Sequence, residues 1–462
     1  MGKKSSSLLG HKKLEKVFMP LVEQIANKQS VLIRRISKNR AQQVQFTRFF
    51  KNKKITPKKL VDYNWQTSSS NFTNKHLLVI SDTSQLVFSS DQKREFLGYV
   101  SHNTKKEGFN IHPAIMLDAD DGGCYGLGGI HISHYEKPST NPKSKEQARS
   151  AYVKKPFEEN ERYKWFDAPN QAIKNCEGAS CYTLVGDRES DIYDLIVKTT
   201  EEKWEFLYRC RTDRRVVDDE KKKLYETIDS WEIQHSYDLK LKPTRKRTAH
   251  TARLDIKFGE VTIKRPDGHP NKELPKQKTI NVIEVKEQAS TVVGNEAPIH
   301  WILLTSHPID ELEQVMQIIQ WYVWRWMVEQ LFRTFKSKGF AIENAELKTY
   351  DGLKNLATIA LIAAIKVIQL IQARTGKTVQ KIEDTFDIDE KKCLIALNEK
   401  LEGKTEKQKN PYPNNTLAFA TWVIARLGGW KGYASERQPG PITMSRGLSQ
   451  FYTISQGFYL RL

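Results

Sequence analysis

Tyr322, Arg325, Glu329 and Lys336 stand at offsets 0, 3, 7 and 14 in the segment Trp321-Tyr-Val-Trp-Arg-Trp-Met-Val-Glu-Gln-Leu-Phe-Arg-Thr-Phe-Lys336. At about 100° per residue those offsets fall within roughly 60° on a helix, so a phenol, two cations and a carboxylate share one stripe. Trp324, Val328, Leu331, Phe332 and Phe335 cluster on the flank beside it, a face that can bury. A carboxylate framed by cations next to a core face suits a site that holds a metal ion and a phosphate together. Taken alone, Arg325 and Glu329 have ordinary helix ion-pair spacing, and the stripe needs partners elsewhere before it means chemistry.

Asp82 and Asp187 are those partners. Each closes a short apolar run, His76-Leu-Leu-Val-Ile-Ser and Cys181-Tyr-Thr-Leu-Val-Gly, that reads as a buried strand. If the two strands are neighbours, both carboxylates project from one sheet edge, and Glu329 on a packed helix completes a set of three. Carboxylate oxygens suit Mg²⁺, which keeps several waters and needs few protein ligands. Two ions about 3.5–4 Å apart activate a water or 3′-hydroxyl and stabilise the leaving oxygen of a phosphodiester. One Asp would bridge both ions, and the other two carboxylates would hold one each. Strand-end Asp residues also make turns and helix caps, so neither aspartate is diagnostic by itself.

The elements that must carry these residues follow from pattern. Residues 1 to about 65 read as short helices in which Arg34, Arg35, Arg40 and Arg48 are interleaved with Phe46, Phe49 and Phe50; Thr56-Pro57 marks a further helix start. Ile111 to Leu117, Cys124 to Ser133 and Trp204 to Arg209 read as strands, and Phe157 to Phe166 as a helix. Ser190 or Asp191 is the expected cap of the helix through Ile192 and Leu195. The turn Asp118-Ala-Asp-Asp-Gly-Gly123 starts like a calcium loop, but Gly129 stands where the bidentate Glu belongs. Residues 215–306 are rich in alternating segments and suit an antiparallel sheet with one wet face. Lys242 to Arg253 within it is either a DNA-facing edge or a solvated loop. Helix is expected again from Ile309 through Lys336. Leu356 to Ile371 is too short to span a bilayer comfortably, carries Lys366, and reads as a buried helix.

Composition bounds the function. The 462 residues carry 74 Lys and Arg against 55 Asp and Glu; residues 1–64 alone hold 16 against 3. That asymmetry points to a polyanion, nucleic acid first and an acidic membrane second, with a merely basic surface as the simpler reading. Five scattered cysteines imply a reducing compartment and no disulfide framework. Cys176 and Cys181 lack a second close Cys or His pair, so no zinc site is expected, and His131 and His134 read as surface residues on a strand. No apolar run follows the first lysines, so the expectation is a soluble intracellular protein.

Motif and order now combine. Asp82 stands in Val-Ile-Ser-Asp-Thr, Asp187 opens Asp-Arg-Glu-Ser-Asp-Ile-Tyr, and Tyr322, Arg325, Glu329 and Lys336 fill Y-x2-R-x3-E-x6-K. With two strand-end Asp residues, a β-rich insertion and then the Glu helix, the chain resembles the cut-and-paste bacterial insertion-sequence transposases of the DDE class, in the branch with a Tyr-Arg-Glu-Lys signature. Weaker matches lie at His300-Trp-Ile-Leu-Leu-Thr-Ser, Ile55-Thr-Pro-Lys-Lys-Leu and Leu427-Gly-Gly-Trp430, so the resemblance spans nearly the whole chain.

The resemblance implies an α/β fold: a ribonuclease-H-like catalytic core over 71–372 with the insertion at about 215–306, a basic helical DNA-binding domain over 1–70, and a helical region over 373–462 as a candidate dimer interface. It implies that Asp82, Asp187 and Glu329 hold two Mg²⁺ or Mn²⁺ ions, and that the enzyme cleaves the inverted-repeat ends of its element and joins the 3′ ends to target DNA. Tyr322, Arg325 and Lys336 would hold the phosphate beside a flipped base and Trp301 would stack on that base, unless Trp301 is simply a buried strand residue. Arg209 matches a DNA-contacting arginine. Arg333, Arg35, Arg40 and Arg48 are DNA-contact candidates from placement and charge. The implied assembly is a homodimer on double-stranded DNA in the bacterial cytoplasm, bound at the nucleoid, with no membrane partner. The rival readings are a nuclease of the same fold without strand transfer, and a transposase-derived DNA-binding protein. Ser190 departs from the Ala common in the second motif, and the lysine-rich N-terminal region has no clean helix-turn-helix signature. Leu417 to Leu427 suits an interface or a core equally.

Overall fold

The computed structural model describes residues 7–67, 72–89, 94–95, 97–136, 155–217, 222–244, 247–336, 339–433 and 435–458. In chain order its elements are α1 (Lys12–Lys28), α2 (Ile33–Ile36), α3 (Arg40–Phe50), α4 (Pro57–Gln66), β1 (His76–Ser81), β2 (Ser84–Val87), β3 (Gly108–Asp118), β4 (Cys124–Ser133), α5 (Lys164–Asn175), β5 (Cys181–Gly186), α6 (Tyr193–Glu201), β6 (Glu205–Arg209), α7 (Leu224–Asp229), β7 (His235–Leu241), β8 (His250–Lys264), β9 (Gln277–Glu287), β10 (His300–Thr305), α8 (Leu312–Trp324), α9 (Trp326–Phe335), α10 (Tyr350–Ala373), α11 (Ile388–Leu401), α12 (Leu417–Leu427) and α13 (Pro441–Phe458). The fold is mixed α/β, with the ribonuclease-H-like core class expected from the sequence. The chain divides into two compact units. Met1–Thr140, Asp167–Ser180 and Trp326–Leu462 form the first; Asn141–Phe166 and Cys181–Arg325 form the second.

In the first unit β3 is the central strand. β4 pairs along one edge, and β1 and β2 pair in succession along the other, all antiparallel. Ser81 of β1 faces Ala114 and Ser84 of β2 faces Ile111. Asp82 and Thr83 fall in the break between them, opposite the His112-Pro113 step; a proline brings no N–H to either ladder. Leu77, Leu78, Val79 and Ile80 are all fully buried, which is why β1 reads as an unbroken apolar run.

The helices of this unit pack around α10. Nearly all of α10 is buried; it is long and apolar enough to cross a membrane, but 94% of its most apolar window lies inside the protein. The interior reading of Leu356 to Ile371 therefore holds. α12 is buried from Leu417 to Ala425 and packs against α10, α11 and α13, so this helix is core. Gly428 and Gly447 allow that packing: a Cβ on Gly428 would lie 2.1 Å from the Thr443 carbonyl oxygen, and one on Gly447 would lie 1.8 Å from that of Ile424. The Gly-Gly of Leu427-Gly-Gly-Trp430 thus contains a close backbone approach.

The N-terminal helices form as read. The Thr56 hydroxyl accepts from the Lys59 amide at 3.3 Å with Pro57 in the first turn of α4, and Asn39 Oδ1 caps α3 by accepting from Gln42 N at 2.9 Å. α1 docks on α13, where Ser449 Oγ donates to the Asn27 carbonyl and Thr453 Oγ1 to Asn27 Oδ1.

In the second unit β5 and β6 are parallel, while β6, β10, β9, β8 and β7 follow in antiparallel order. The alternating sequences between 215 and 306 supply these strands, with buried and wetter positions alternating along β8.

Several expectations need correction. Phe157 to Phe166 is not one helix: 3-10 turns at Phe157–Glu159 and Glu161–Tyr163 precede α5. Asn160 separates them, its side chain accepting from Arg162 N at 3.1 Å in the local pattern that competes with a continuous helix. Neither Ser190 nor Asp191 caps α6, which starts after Ile192 without a side-chain cap. His131 is half-buried rather than a free surface residue, with Nδ1 2.7 Å from the Asp167 carboxylate, whereas His134 is exposed as expected, its ring 3.0 Å from the Tyr350 hydroxyl. The expected helix through Tyr322 and Lys336 is two helices meeting at Arg325. That residue keeps helical angles (φ −51°, ψ −29°), but its N–H bonds the Tyr322 carbonyl three residues back, which tightens the last turn of α8. Val328, Leu331 and Phe335 are buried as expected, whereas Trp324 and Phe332 are only half-buried.

Candidate nucleic-acid interface and carboxylate site

In the second unit, Trp301 lies on β10 opposite Val285 of β9. It is half-buried, so it is not a core tryptophan. Its indole meets the Tyr322 ring edge to face with centroids 5.3 Å apart, and the Arg325 guanidinium stands 5.6 Å from the Tyr322 centroid. Tyr322 is only 4% exposed, and its Oη has no hydrogen-bond partner among the described residues. A buried phenol left unpaired costs about 1–3 kcal/mol, which an added acceptor would relieve.

Arg209 ends β6 and donates Nη2–H to the His300 carbonyl at 2.8 Å, which places it beside Trp301. Arg209 and Trp301 line one cavity of about 690 Å³ together with Arg188, Arg247, Tyr237 and His300. That volume is in the range of ligand sites, about 300–1,000 Å³. Arginines with an indole and a phenol are the lining expected for stacked bases and phosphates. Arg188 stands in the second motif with no role expected of it, and Arg247 is one of five cations between Lys242 and Arg253; Arg245 and Lys246 of that stretch lie outside the described residues. The β7 sequence Tyr237-Asp-Leu-Lys-Leu alternates, which was the available signal for Tyr237 facing this wall.

Asp187 follows β5 directly. Its Oδ1 accepts from Glu189 N at 2.9 Å, so it caps the 3-10 turn Arg188–Ser190, and Ser190 Oγ returns to the Asp187 carbonyl at 2.6 Å. Gly186 and Ser190 pack closely: a Cβ on Gly186 would lie 2.4 Å from Ser190 Oγ. Ser in place of Ala adds a hydroxyl that closes the turn.

In the first unit, Asp82 Oδ1 accepts from Thr83 N at 2.7 Å, and Thr83 Oγ1 is 2.9 Å from Nδ1 of the buried His112. Lys336 donates to the carbonyl of Gln85, on the strand that begins two residues after Asp82, at 2.5 Å. It also stands 3.9 Å from Glu343, whose carboxylate accepts from Val87 N at 3.0 Å. Glu329 is half-buried on α9, and Arg333 one turn on is exposed. Arg35, Arg40 and Arg48 are exposed on α2 and α3.

The structure therefore brings Trp301, Tyr322 and Arg325 together, with Arg209 beside Trp301. It carries Asp82, Glu329 and Lys336 in one unit and Asp187 in the other. The donor chemistry of three carboxylates suits Mg²⁺ or Mn²⁺. Among the described residues, however, no three His, Cys, Asp or Glu side chains stand as one metal-holding group.

With that geometry in view, the chain is comparable with known proteins. The model of a family described as the transposase DDE domain matches residues 180–365. The span contains Asp187, Arg209, Trp301, Tyr322, Arg325, Glu329, Arg333 and Lys336; Asp82 and the N-terminal arginines precede it. This similarity supports a DDE transposase function in general terms, an enzyme class that works on DNA with divalent metal.

Proposed function

We propose that this protein is a DNA transposase of the bacterial insertion-sequence branch with the Tyr-Arg-Glu-Lys signature, which cuts the inverted-repeat ends of its element and joins the freed 3′ ends to target DNA. The observation that carries the reading is the buried Tyr322 hydroxyl, without a partner among the described residues, in a cluster with Trp301 and Arg325 beside an arginine-lined cavity.

Asp82, Asp187 and Glu329 are the residues that would hold the metal. When bound, two Mg²⁺ or Mn²⁺ ions supply Lewis acidity and an activated water or 3′-hydroxyl for in-line displacement. Tyr322 Oη donates to a phosphate oxygen, while Arg325 and Lys336 neutralise that phosphate. Trp301 offers its face to an unstacked base, a contact worth about 1–3 kcal/mol against an unstacking cost of a few. Arg209 and Arg333 contact the strand near the cut, and Arg35, Arg40 and Arg48 contact the terminal repeat. A homodimer pairs two ends.

The test is cleavage of element-end DNA by Asp82→Ala, Asp187→Ala and Glu329→Ala proteins in Mg²⁺, with DNA binding followed by gel shift and joining scored on a supercoiled target. Loss of cleavage with retained binding is expected in each. Cleavage retained by all three overturns the assignment, cleavage without joined product by the wild type reduces it to a nuclease, and binding without cleavage reduces it to a DNA-binding protein.

A further inference from the structure

Asp191 is four residues past Asp187, yet it makes no contribution to the helix it precedes. Its side chain is fully buried, and its carboxylate is filled from the loop after β6. Oδ2 accepts from Arg211 N and Thr212 N, each at 2.8 Å. Oδ1 accepts from Arg214 Nε at 3.1 Å and from Arg214 Nη2, and Arg214 Nη2 also reaches the Asp191 carbonyl at 3.0 Å. The Arg214 side chain is 5% exposed. Its own carbonyl accepts from Leu224 N at 2.8 Å, anchoring the loop to the start of α7.

Burying two charges is costly, and a structural pair of this kind is replaceable by apolar packing without loss. Here the pair joins two segments that each carry a site residue. One is the turn headed by Asp187, closed by Ser190 and continued through Ile192 N to the Ser190 carbonyl at 2.8 Å. The other starts immediately after Arg209, whose guanidinium sits on the cavity wall with Trp301. Two backbone amides and a guanidinium fork converge on one carboxylate, so the loop has a single register relative to the turn.

We propose that Asp191 and Arg214 are positioning residues: their buried pair holds the Asp187 turn and the Arg209 loop in the mutual arrangement that metal-dependent cleavage requires. This rests on the proposed function above. Asp191→Asn keeps an acceptor for the two amides but leaves the Arg214 charge uncompensated; Asp191→Asn with Arg214→Gln removes that buried charge without replacing the guanidinium fork that sets the register.

The full-length proteins are compared by thermal melting, by Mn²⁺ titration calorimetry in the presence of uncleavable end DNA, and by the Mg²⁺ midpoint for cleavage at saturating DNA. Supporting groups behind metal ligands typically change affinity or activity by about 10–100-fold, and the expected result is a metal midpoint raised about tenfold or more in Asp191→Asn. In the double variant the melting temperature recovers towards wild type while the raised midpoint persists. A double variant with both wild-type melting and a wild-type midpoint overturns the proposal, because the pair is then only a fold contact. Should either Asn variant fail to fold, Arg214→Lys, which keeps the charge and loses the fork, carries the test, with an unchanged midpoint again overturning it. Absence of metal-dependent cleavage in the wild type is a different outcome: it removes the proposed function, and an Asp191→Asn protein with unaltered Mn²⁺ affinity removes the positioning role.

Discussion

The Tyr322 ring stands edge-on to the Trp301 indole, with planes 65° apart, and its hydroxyl is buried with no partner among the described residues. Tyr322→Phe keeps the ring contact and removes only that hydroxyl. Loss of an unsatisfied buried group is neutral or stabilising, so the melting temperature should hold or rise. On the proposed role of Tyr322, cleavage of end DNA should fall, because phenylalanine offers no donor to the phosphate. Thermal melts beside single-turnover cleavage read both; a Phe variant that melts lower and cleaves normally would show that the hydroxyl serves the fold.

Lys336 is held between the Gln85 carbonyl and the Glu343 carboxylate. If it also meets a DNA phosphate, Lys336→Ala should weaken binding and reduce the slope of log K against log salt by about 1. Filter binding over a salt series measures it. An unchanged slope would mean that Lys336 acts only as a brace for β2.

Glu23 on α1 has its pKa raised from 4.5 to about 7, first by burial, with Lys366 opposing and Glu390 and Asp387 adding to the rise. A carboxyl with a raised folded pKa favours the protonated folded state. Its contribution is fully present below about pH 4.5 and is lost as pH rises through about 7. Glu23→Gln should therefore flatten the fall in stability between pH 5 and 8 (a range chosen to bracket roughly that window) and raise the melting temperature most at the alkaline end. Parallel wild-type and Gln profiles across the range would contradict this.

Gly447→Ala sets two effects against each other. Alanine in a helix interior gains about 1 kcal/mol over glycine. The new Cβ would sit 1.8 Å from the Ile424 carbonyl oxygen, a backbone atom that cannot swing aside. Overpacking of about 1–3 kcal/mol should win, lowering the urea midpoint. A higher midpoint would show that α12 and α13 can separate cheaply.

Much of this protein is legible in its sequence. The unbroken apolar run of His76 to Ser81 specifies a strand buried on both faces, and the alternation of residues 250–264 specifies one with a wetter side, because side-chain period follows directly from backbone geometry. The Thr56-Pro57 start of α4 is equally local chemistry. The types and order of Asp82, Asp187, Trp301, Tyr322, Arg325, Glu329 and Lys336 single out the candidate site residues before any coordinates are considered.

Tertiary structure decided the rest, since it depends on contacts between residues far apart in the chain. Leu417 to Leu427 is apolar enough for an interface or a core, and only the neighbouring α10, α11 and α13 make it core. Asp191 looks like a helix cap by position, but Arg214, 23 residues away, takes its carboxylate into a buried pair. Arg188 and Arg247 carry no signal of their own, because which cations share a cavity with Trp301 is set by how β6, β7, β10 and α8 pack. The break of the signature helix at Arg325 escapes a period count for the same reason: the angles stay helical while the hydrogen bond shifts.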